Sequence, residues 1–389
     1  MQKLGNRKKK VAFLAGIISP YKIPCWNEVA KNELFDFEVY FCAAITKDRS
    51  WKVYYDEIKF KYKKLKGIHP IFGGFTVHIN WILPIIRNKY DLVVIEGYYQ
   101  PTFLLTWLIS KLLNSKVAFL IESSHLDKRT GNCTIEALKR FIITHSDALM
   151  VAGQASLNYM KSFGVKPSNI FHIPYTADYN FFSDKYRSLK SEEITIKTTK
   201  NTKLKEDGNL IFLYVGRLWE GKGIFYLLRA FKKLQMERNN ICLILVGDGP
   251  DEHKYRKMTK EESIQNVYFE GFKQKEELPE YYALADIFIL PSLTEPWGLV
   301  VNEAMIFNLP VICTNKVGAA YDLIENGKNG LIVDAANADS LYKAMKILAE
   351  SSELRGEMGK ISAEIIKRYT PQTWADGFIN GAKSVLRVL

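Results

Sequence analysis

Short apolar runs alternate with longer stretches of helical spacing along most of the chain. VAFLAGII, FEVYFCAA, DLVVIEG, KVAFLIE, ALMVAG and IFHIPY read as buried strands. Between them CWNEVAKNEL, PTFLLTWLISKLLN, IEALKRFIITH and QASLNYMKSFG carry apolar residues at helical intervals. This rhythm implies a parallel, doubly wound α/β sheet. It lapses from Ser188 to Asn209, a Lys/Thr/Glu-rich stretch poor in large apolar residues. At Leu210 it restarts with LIFLYVG, and ICLILVG, VYFEG, IFILPS, PVICT and LIVD follow as further strands. TPQTWADGFINGAKSVL closes the chain as a helix, with Thr370 at the cap and Pro371 in the first turn. The pattern therefore predicts a first Rossmann-like domain over 1–185, a polar linker over 186–209, a second over 210–370 and a closing helix over 371–389. Two such domains face a cleft between the carboxyl ends of their sheets, where ligands of open α/β sheets bind.

The chain has 389 residues, 47% hydrophobic and 25% charged, which are ordinary globular values. Cys25, Cys42, Cys133, Cys242 and Cys313 have neither CxxC spacing nor histidine partners, so zinc and disulfide frameworks are excluded and a reducing compartment fits. RKKKVAFLAGIISPYKIP imitates a secretory leader, but without a small-residue cleavage site it reads as a first strand. The net charge of +12 is unevenly placed. Residues 1–180 hold 25 Lys/Arg against 14 Asp/Glu, and residues 181–389 hold 29 against 28. The halves thus face different partners.

The chemistry gathers at strand ends of the second half. In LYVGRLWEGKGIFYLL, Gly216 follows a strand, Arg217 and Lys222 lie in the loop, and Gly223 opens a helix. Two cations at a helix start suit a diphosphate, Arg217 forking across two oxygens and Lys222 acting as a point charge. VGDGPD is another glycine turn, and FEGF, with Phe272, ends a strand where backbone amides could read a planar base. PSLTEPWGLVVNEAM places Glu295 and Glu303 seven residues apart around Pro296-Trp297-Gly298. Glu295, in the loop, can accept hydrogen bonds from sugar hydroxyls. Glu303, one turn into a helix, can accept both hydroxyls of a ribose. Gly298 lets the backbone approach a ligand closely.

GRLWEGKG, then EPWGLVVNE, then LPVICTNKVGAAYDLIENGKNGLIVD together resemble the family-four retaining glycosyltransferases of the GT-B fold. The resemblance implies that Arg217 and Lys222 hold the donor diphosphate, Glu295 the donor sugar and Glu303 the nucleotide ribose. Gly298, Leu299 and Val300 would present amides to the donor. It further implies a metal-independent transfer of a hexose or N-acetylhexosamine, without a cofactor, from a nucleotide sugar. A UDP-sugar is favoured over GDP-mannose, and the acceptor is a glycan or lipid-linked sugar of cell-surface polysaccharide or lipopolysaccharide synthesis.

The first half is then the acceptor side. AGIISPYKIPCWNE resembles the family's N-terminal loop but keeps only Gly16 of its usual glycine pair; the resemblance implies that Gly16 meets the donor phosphate, with Tyr21 and Lys22 standing as acceptor contacts. IESSHLDKRT ends a strand with His125, Asp127 and Glu122, any of which could assist the reaction; many relatives carry a histidine there. Asp178 reads as structural. Lys47–Lys66 has eight Lys/Arg against three acids among Trp51, Tyr54, Tyr55, Phe60 and Tyr62. That mixture fits an anionic membrane surface better than nucleic acid, and WILPIIRNKY, from Trp81, fits the same face. The expected place is the cytoplasm, peripheral to the inner membrane face. The competing readings are a sugar-nucleotide epimerase and a non-catalytic membrane- or nucleic-acid-binding protein.

Overall fold

The computed structural model describes residues 7–44, 50–65, 78–98, 100–126, 133–191, 205 and 207–388. It comprises two compact units that divide between Tyr175 and Thr176, with Pro371–Leu389 assigned to the first.

The first unit is built on a parallel sheet of β1 (Lys9–Ile17), β2 (Phe35–Ala43), β3 (Lys61–Lys64), β4 (Leu92–Glu96), β5 (Lys116–Ile121), β6 (Ala148–Val151) and β7 (Ile170–His172), in the order β3-β2-β1-β4-β5-β6-β7. Val11, Phe13 and Ala15 face one apolar layer with Trp26, Phe37 and Phe378; Ala12 and Leu14 face the other, with Tyr40, Trp81 and Phe103. A strand covered on both sides needs apolar residues at every position, which explains the unbroken VAFLA run. The closing helix Pro371–Leu386 supplies part of the first layer: Trp374 stacks on Phe378 at 5.6 Å, and Phe378 meets Phe37 edge-on at 5.7 Å. Trp374 is 1% exposed. Trp374→Ala is therefore expected to cost about 3–5 kcal/mol, read as a lower urea midpoint for the first domain.

The charged aromatic stretch differs from its reading as a membrane patch. Tyr54 and Phe60 are buried in the core, Phe60 against the Trp26 and Phe41 rings, and so do not face a membrane. Lys61 and Lys63 pair with Asp36 and Glu38 of the neighbouring strand, at 2.6 and 2.9 Å. Trp81 is likewise buried, donating from its indole to Thr106 Oγ1 at 2.7 Å. Residues 47–49 and 66 of that stretch lie outside the described residues.

The second unit carries β8 (Leu210–Val215), β9 (Ile241–Val246), β10 (Val267–Gly271), β11 (Ile287–Leu290), β12 (Val311–Thr314) and β13 (Gly330–Val333), all parallel, in the order β10-β9-β8-β11-β12-β13. The first unit ends at Tyr175, ten residues before the expected 185, and the second begins at Thr176 rather than at 210. The helix Tyr179–Ser191 belongs here because Phe182 packs against Tyr282 at 6.3 Å and Tyr186 against Phe307 at 5.4 Å. Asp178 sits at its start, accepting from the Phe181 N–H at 3.3 Å and pairing with Lys275 at 2.7 Å, a structural role. The middle of the expected linker, 192–204, lies outside the described residues. No helix among the described residues is long and apolar enough to cross a membrane.

Candidate functional site

In the second unit two loops leave the carboxyl ends of adjacent strands, β8 and β11. After β8 the chain runs through Gly216 and Arg217 into a 3-10 turn, Glu220–Lys222, and Gly223 then opens the helix Ile224–Gln235. Gly223 has φ +68, and a Cβ there would stand 2.1 Å from the Pro291 carbonyl oxygen of the second loop. Only glycine lets the two loops touch. Leu293 seals the contact by donating its N–H to Gly221 O at 2.9 Å.

VGDGPD turns out to be the support of the first loop. Leu218 N–H donates to Asp248 O at 2.7 Å, Asp251 N–H to Leu218 O at 3.0 Å, and a Cβ on Gly247 would collide with Gly216 O. Tyr214, fully buried, donates its hydroxyl to Arg217 O at 2.8 Å. The glycines of the turn thus serve backbone packing. Phe272 lies just beyond β10, two strands from β8, with its ring 36% exposed.

The Pro-Trp-Gly of the second loop is explained by its anchoring. Trp297 is buried and its indole donates to the buried Asn302 Oδ1 at 2.8 Å, tying the loop to the helix Leu299–Ile306. Glu295 N–H donates to Lys316 O at 3.0 Å and Gly318 N–H to Glu295 O at 2.9 Å, so its backbone is fixed from both sides. Gly298 starts that helix at φ +99, with Leu299 and Val300 half-buried in its first turn.

Lys222 and Glu295 form an ion pair, each side chain under one-fifth exposed. The structure thus brings the cation of the first loop to the carboxylate of the second. Glu303, on the same helix, accepts from the Tyr282 hydroxyl at 2.6 Å. Burial raises its carboxyl to about 7; the Tyr282 hydrogen bond and the Lys275 charge pull the other way without cancelling it. Tyr282 and Lys275 were not singled out from sequence. Tyr282 lies in the helical run LPEYYALA, where an aromatic residue reads as core.

In the first unit the strand ends gather a different set. Lys22 is 3% exposed and pairs with Glu96, at the end of β4, and with Glu122, just past β5, at 2.6 Å from the latter. Burial opposes its charge, but the two carboxylates outweigh that and hold its pKa well above the usual lysine value. Expected as an acceptor contact, Lys22 is instead an internal counter-ion, because a buried ammonium needs carboxylates on it. Gly16 donates its N–H to Glu96 Oε2 at 2.8 Å, so the amide expected for donor phosphate is already occupied. Tyr21 is half-buried, edge-on to Tyr175 at 6.0 Å and to Trp51 at 6.4 Å. His125 is exposed, three residues beyond Glu122, and Asp127 lies outside the described residues. Glu96 was missed, although its place at the end of the DLVVIE run marks it as a strand-end carboxylate.

Two parallel Rossmann-like sheets, with cations, carboxylates and helix starts at their carboxyl ends, give the GT-B architecture. Residues 195–364 match the family described as glycosyl transferases group 1. The chain is 28% identical over 186 residues to MJ1607 of Methanocaldococcus jannaschii, an uncharacterized glycosyltransferase, and that match spans about half of each protein, 47%. It is 24% identical over 269 residues to the alpha-D-kanosaminyltransferase of Streptomyces kanamyceticus, covering 67% of this chain and 68% of that one. Among solved structures, Anabaena Alr3699/HepE in complex with UDP and glucose matches with a TM-score of 0.73 at 19% identity, over 96% of this chain and 99% of that one. The family match thus falls on the second unit and covers less than half of the chain, and the solved structure shares the fold.

Proposed function

We propose that the protein is a retaining glycosyltransferase of family four that moves a hexose or N-acetylhexosamine from a UDP-sugar to a glycan or lipid-linked acceptor, without a metal, in cell-surface polysaccharide synthesis. The observation that carries this reading is the meeting of Lys222 with Glu295 beside the helix that bears Glu303. A diphosphate displaces Glu295 from Lys222, and the freed carboxylate accepts hydroxyls of the sugar; Glu303 takes the ribose. Arg217, Lys222 and the amides from Gly298 then oppose the charge that develops on the leaving diphosphate. In a retaining transfer without a protein nucleophile, a phosphate oxygen takes the acceptor proton on the face the donor leaves. The UDP bound by HepE supports the choice of nucleotide, and similarity to the capsular polysaccharide glycosyltransferase CapM of Staphylococcus aureus supports the pathway.

A peripheral position at an anionic membrane is part of this proposal. It is supported by the excess of Lys/Arg in residues 1–180 and by Leu83 and Ile86, which are 54% and 43% exposed. Co-sedimentation with phosphatidylglycerol vesicles, but not with phosphatidylcholine ones, is the expected result.

The reading is tested by thermal melting with UDP-, GDP- and ADP-sugars. A donor at about a hundredfold over its Kd adds roughly 2.7 kcal/mol. The shift is expected with a UDP-sugar and is expected to vanish in Arg217→Ala and Glu303→Ala. A folded wild-type sample that responds to no nucleotide sugar would sink it. The anomeric proton couplings of the isolated product then decide retention.

A further inference from the structure

The second domain holds a largely buried cation that the transfer chemistry does not use. Lys275 lies between β10 and the helix Leu278–Leu284. Its side chain is 10% exposed, and that of its partner Asp178 is 12% exposed. The ammonium stands 2.7 Å from Asp178 Oδ2 and 4.6 Å from the centre of the Phe181 ring. Desolvating two charges offsets much of their attraction, so an apolar pair of similar size would join these segments as well. Packing alone does not account for the pair.

The same ammonium acts on Glu303. Two groups favour the ionised form of that carboxyl: the Tyr282 hydroxyl, which donates to it at 2.6 Å, and the Lys275 charge. The helix Tyr179–Ser191 turns rings to this cluster, Phe182 against Tyr282 and Tyr186 against Phe307. No other charged group among the described residues acts on Glu303. Glu303 is half-buried, which leaves it open to a ligand. An ionised carboxyl offers both oxygens to hydroxyl donors, and desolvation works against that form. Lys275 is the one full positive charge that opposes the desolvation, and Asp178 draws on the same ammonium.

We infer that Lys275 is a positioning residue of the nucleotide site: it supports the ionised Glu303 that a ribose needs, while Asp178 holds Lys275 in place and takes up part of its charge. The inference rests on the reading of Glu303 as the ribose carboxylate, and it adds two residues that act through Glu303 rather than on the donor. Opposite signs follow. Removing the ammonium disfavours the ionised carboxyl. Removing the Asp178 charge returns the whole ammonium to Glu303 and favours it. Asp178→Asn keeps an oxygen for the Phe181 N–H, so the helix start is preserved.

The test titrates the full chain, free of ligand, by NMR of glutamates isotope-labelled at the side-chain carboxyl carbon. The Glu303 signal is identified by its loss in Glu303→Gln. Its midpoint is expected to rise by about one pH unit in Lys275→Met and to fall by about half a unit in Asp178→Asn. Lys275→Arg, which keeps the charge, should titrate near the wild type. If the uncompensated Asp178 charge prevents Lys275→Met from folding, the double variant Lys275→Met with Asp178→Asn carries that arm. Its midpoint should lie above the wild-type value, because Asp178 acts only through Lys275. The inference is overturned if both single variants leave the midpoint unmoved, if they shift it in the same direction, or if the double variant titrates below the wild type. Calorimetric titration with UDP-glucose over the same pH range then ties the cluster to the donor: the pH at which Kd turns should follow the midpoint in each variant. A Lys275→Met protein that loses affinity equally at every pH would instead place the ammonium on the nucleotide itself and overturn the positioning role. Failure of UDP-glucose to bind the wild type would count against the ribose reading alone, since the carboxyl titration does not depend on it.

Discussion

Lys222→Met is expected to lower donor turnover by about 10²–10³-fold, the usual loss when one preorganised group opposing transition-state charge is removed. It should also destabilise the second domain in the absence of any ligand. Lys222 and Glu295 are 17% and 13% exposed and satisfy one another, so removing the ammonium leaves a carboxylate with little water and no counter-charge. A fully buried partner left this way costs about 3–5 kcal/mol; with this much exposure about 1–3 kcal/mol is expected. The double variant Lys222→Met with Glu295→Gln removes both charges and should recover stability to within about 1 kcal/mol of wild type, while turnover stays low. The divergence of stability from activity is the diagnostic result. If urea denaturation shows no loss in the single variant, the pair does not form in solution. If turnover survives in it, Lys222 does not meet the diphosphate.

The two sheets were legible because every strand buried on both sides spells an apolar run. β3 was not. Its four residues, Lys61–Lys64, are all exposed at the sheet edge, so KYKK shows neither an apolar run nor alternation. The helix Glu252–Glu261 escaped for a related reason: Tyr255 is its one buried residue, and the rest reads as a charged loop. The domain boundary was misplaced because Tyr179–Ser191 is amphipathic and short of Gly or Pro. Nothing local in it says which core its aromatic face will join.

The site divides along the same line. Residues at a strand end, a turn or a helix start, such as Gly223, Gly298 and Glu295, could be picked from spacing and turn chemistry. Residues whose state depends on partners far along the chain could not. Lys22 reads as an exposed loop cation until Glu96 and Glu122 are placed around it, 74 and 100 residues away.

Glu303 makes donor binding depend on pH. Its carboxyl, raised by burial to about 7, is mostly protonated at pH 6 and mostly ionised at pH 8 in the free protein. The ionised form accepts both ribose hydroxyls, whereas the protonated form loses an acceptor position and must lose its proton before the donor can bind in that way. The Kd for UDP-glucose, whose diphosphate has no ionisation near neutrality, should therefore rise about tenfold per pH unit below 7 and level off above it. Stability runs the opposite way. Because the folded value lies above the ordinary 4.5, the folded state takes up a proton between 7 and 4.5 that the unfolded chain does not. The contribution of this group thus favours folding as pH falls and is lost as pH rises through 7, by up to about 1.4 kcal/mol per unit. Glu303→Gln should behave as the protonated form at every pH, with a flat Kd about tenfold or more above the wild-type value at pH 8. Calorimetric titrations of both proteins from pH 5.5 to 8.5 decide it: a flat wild-type profile would remove Glu303 from the ribose.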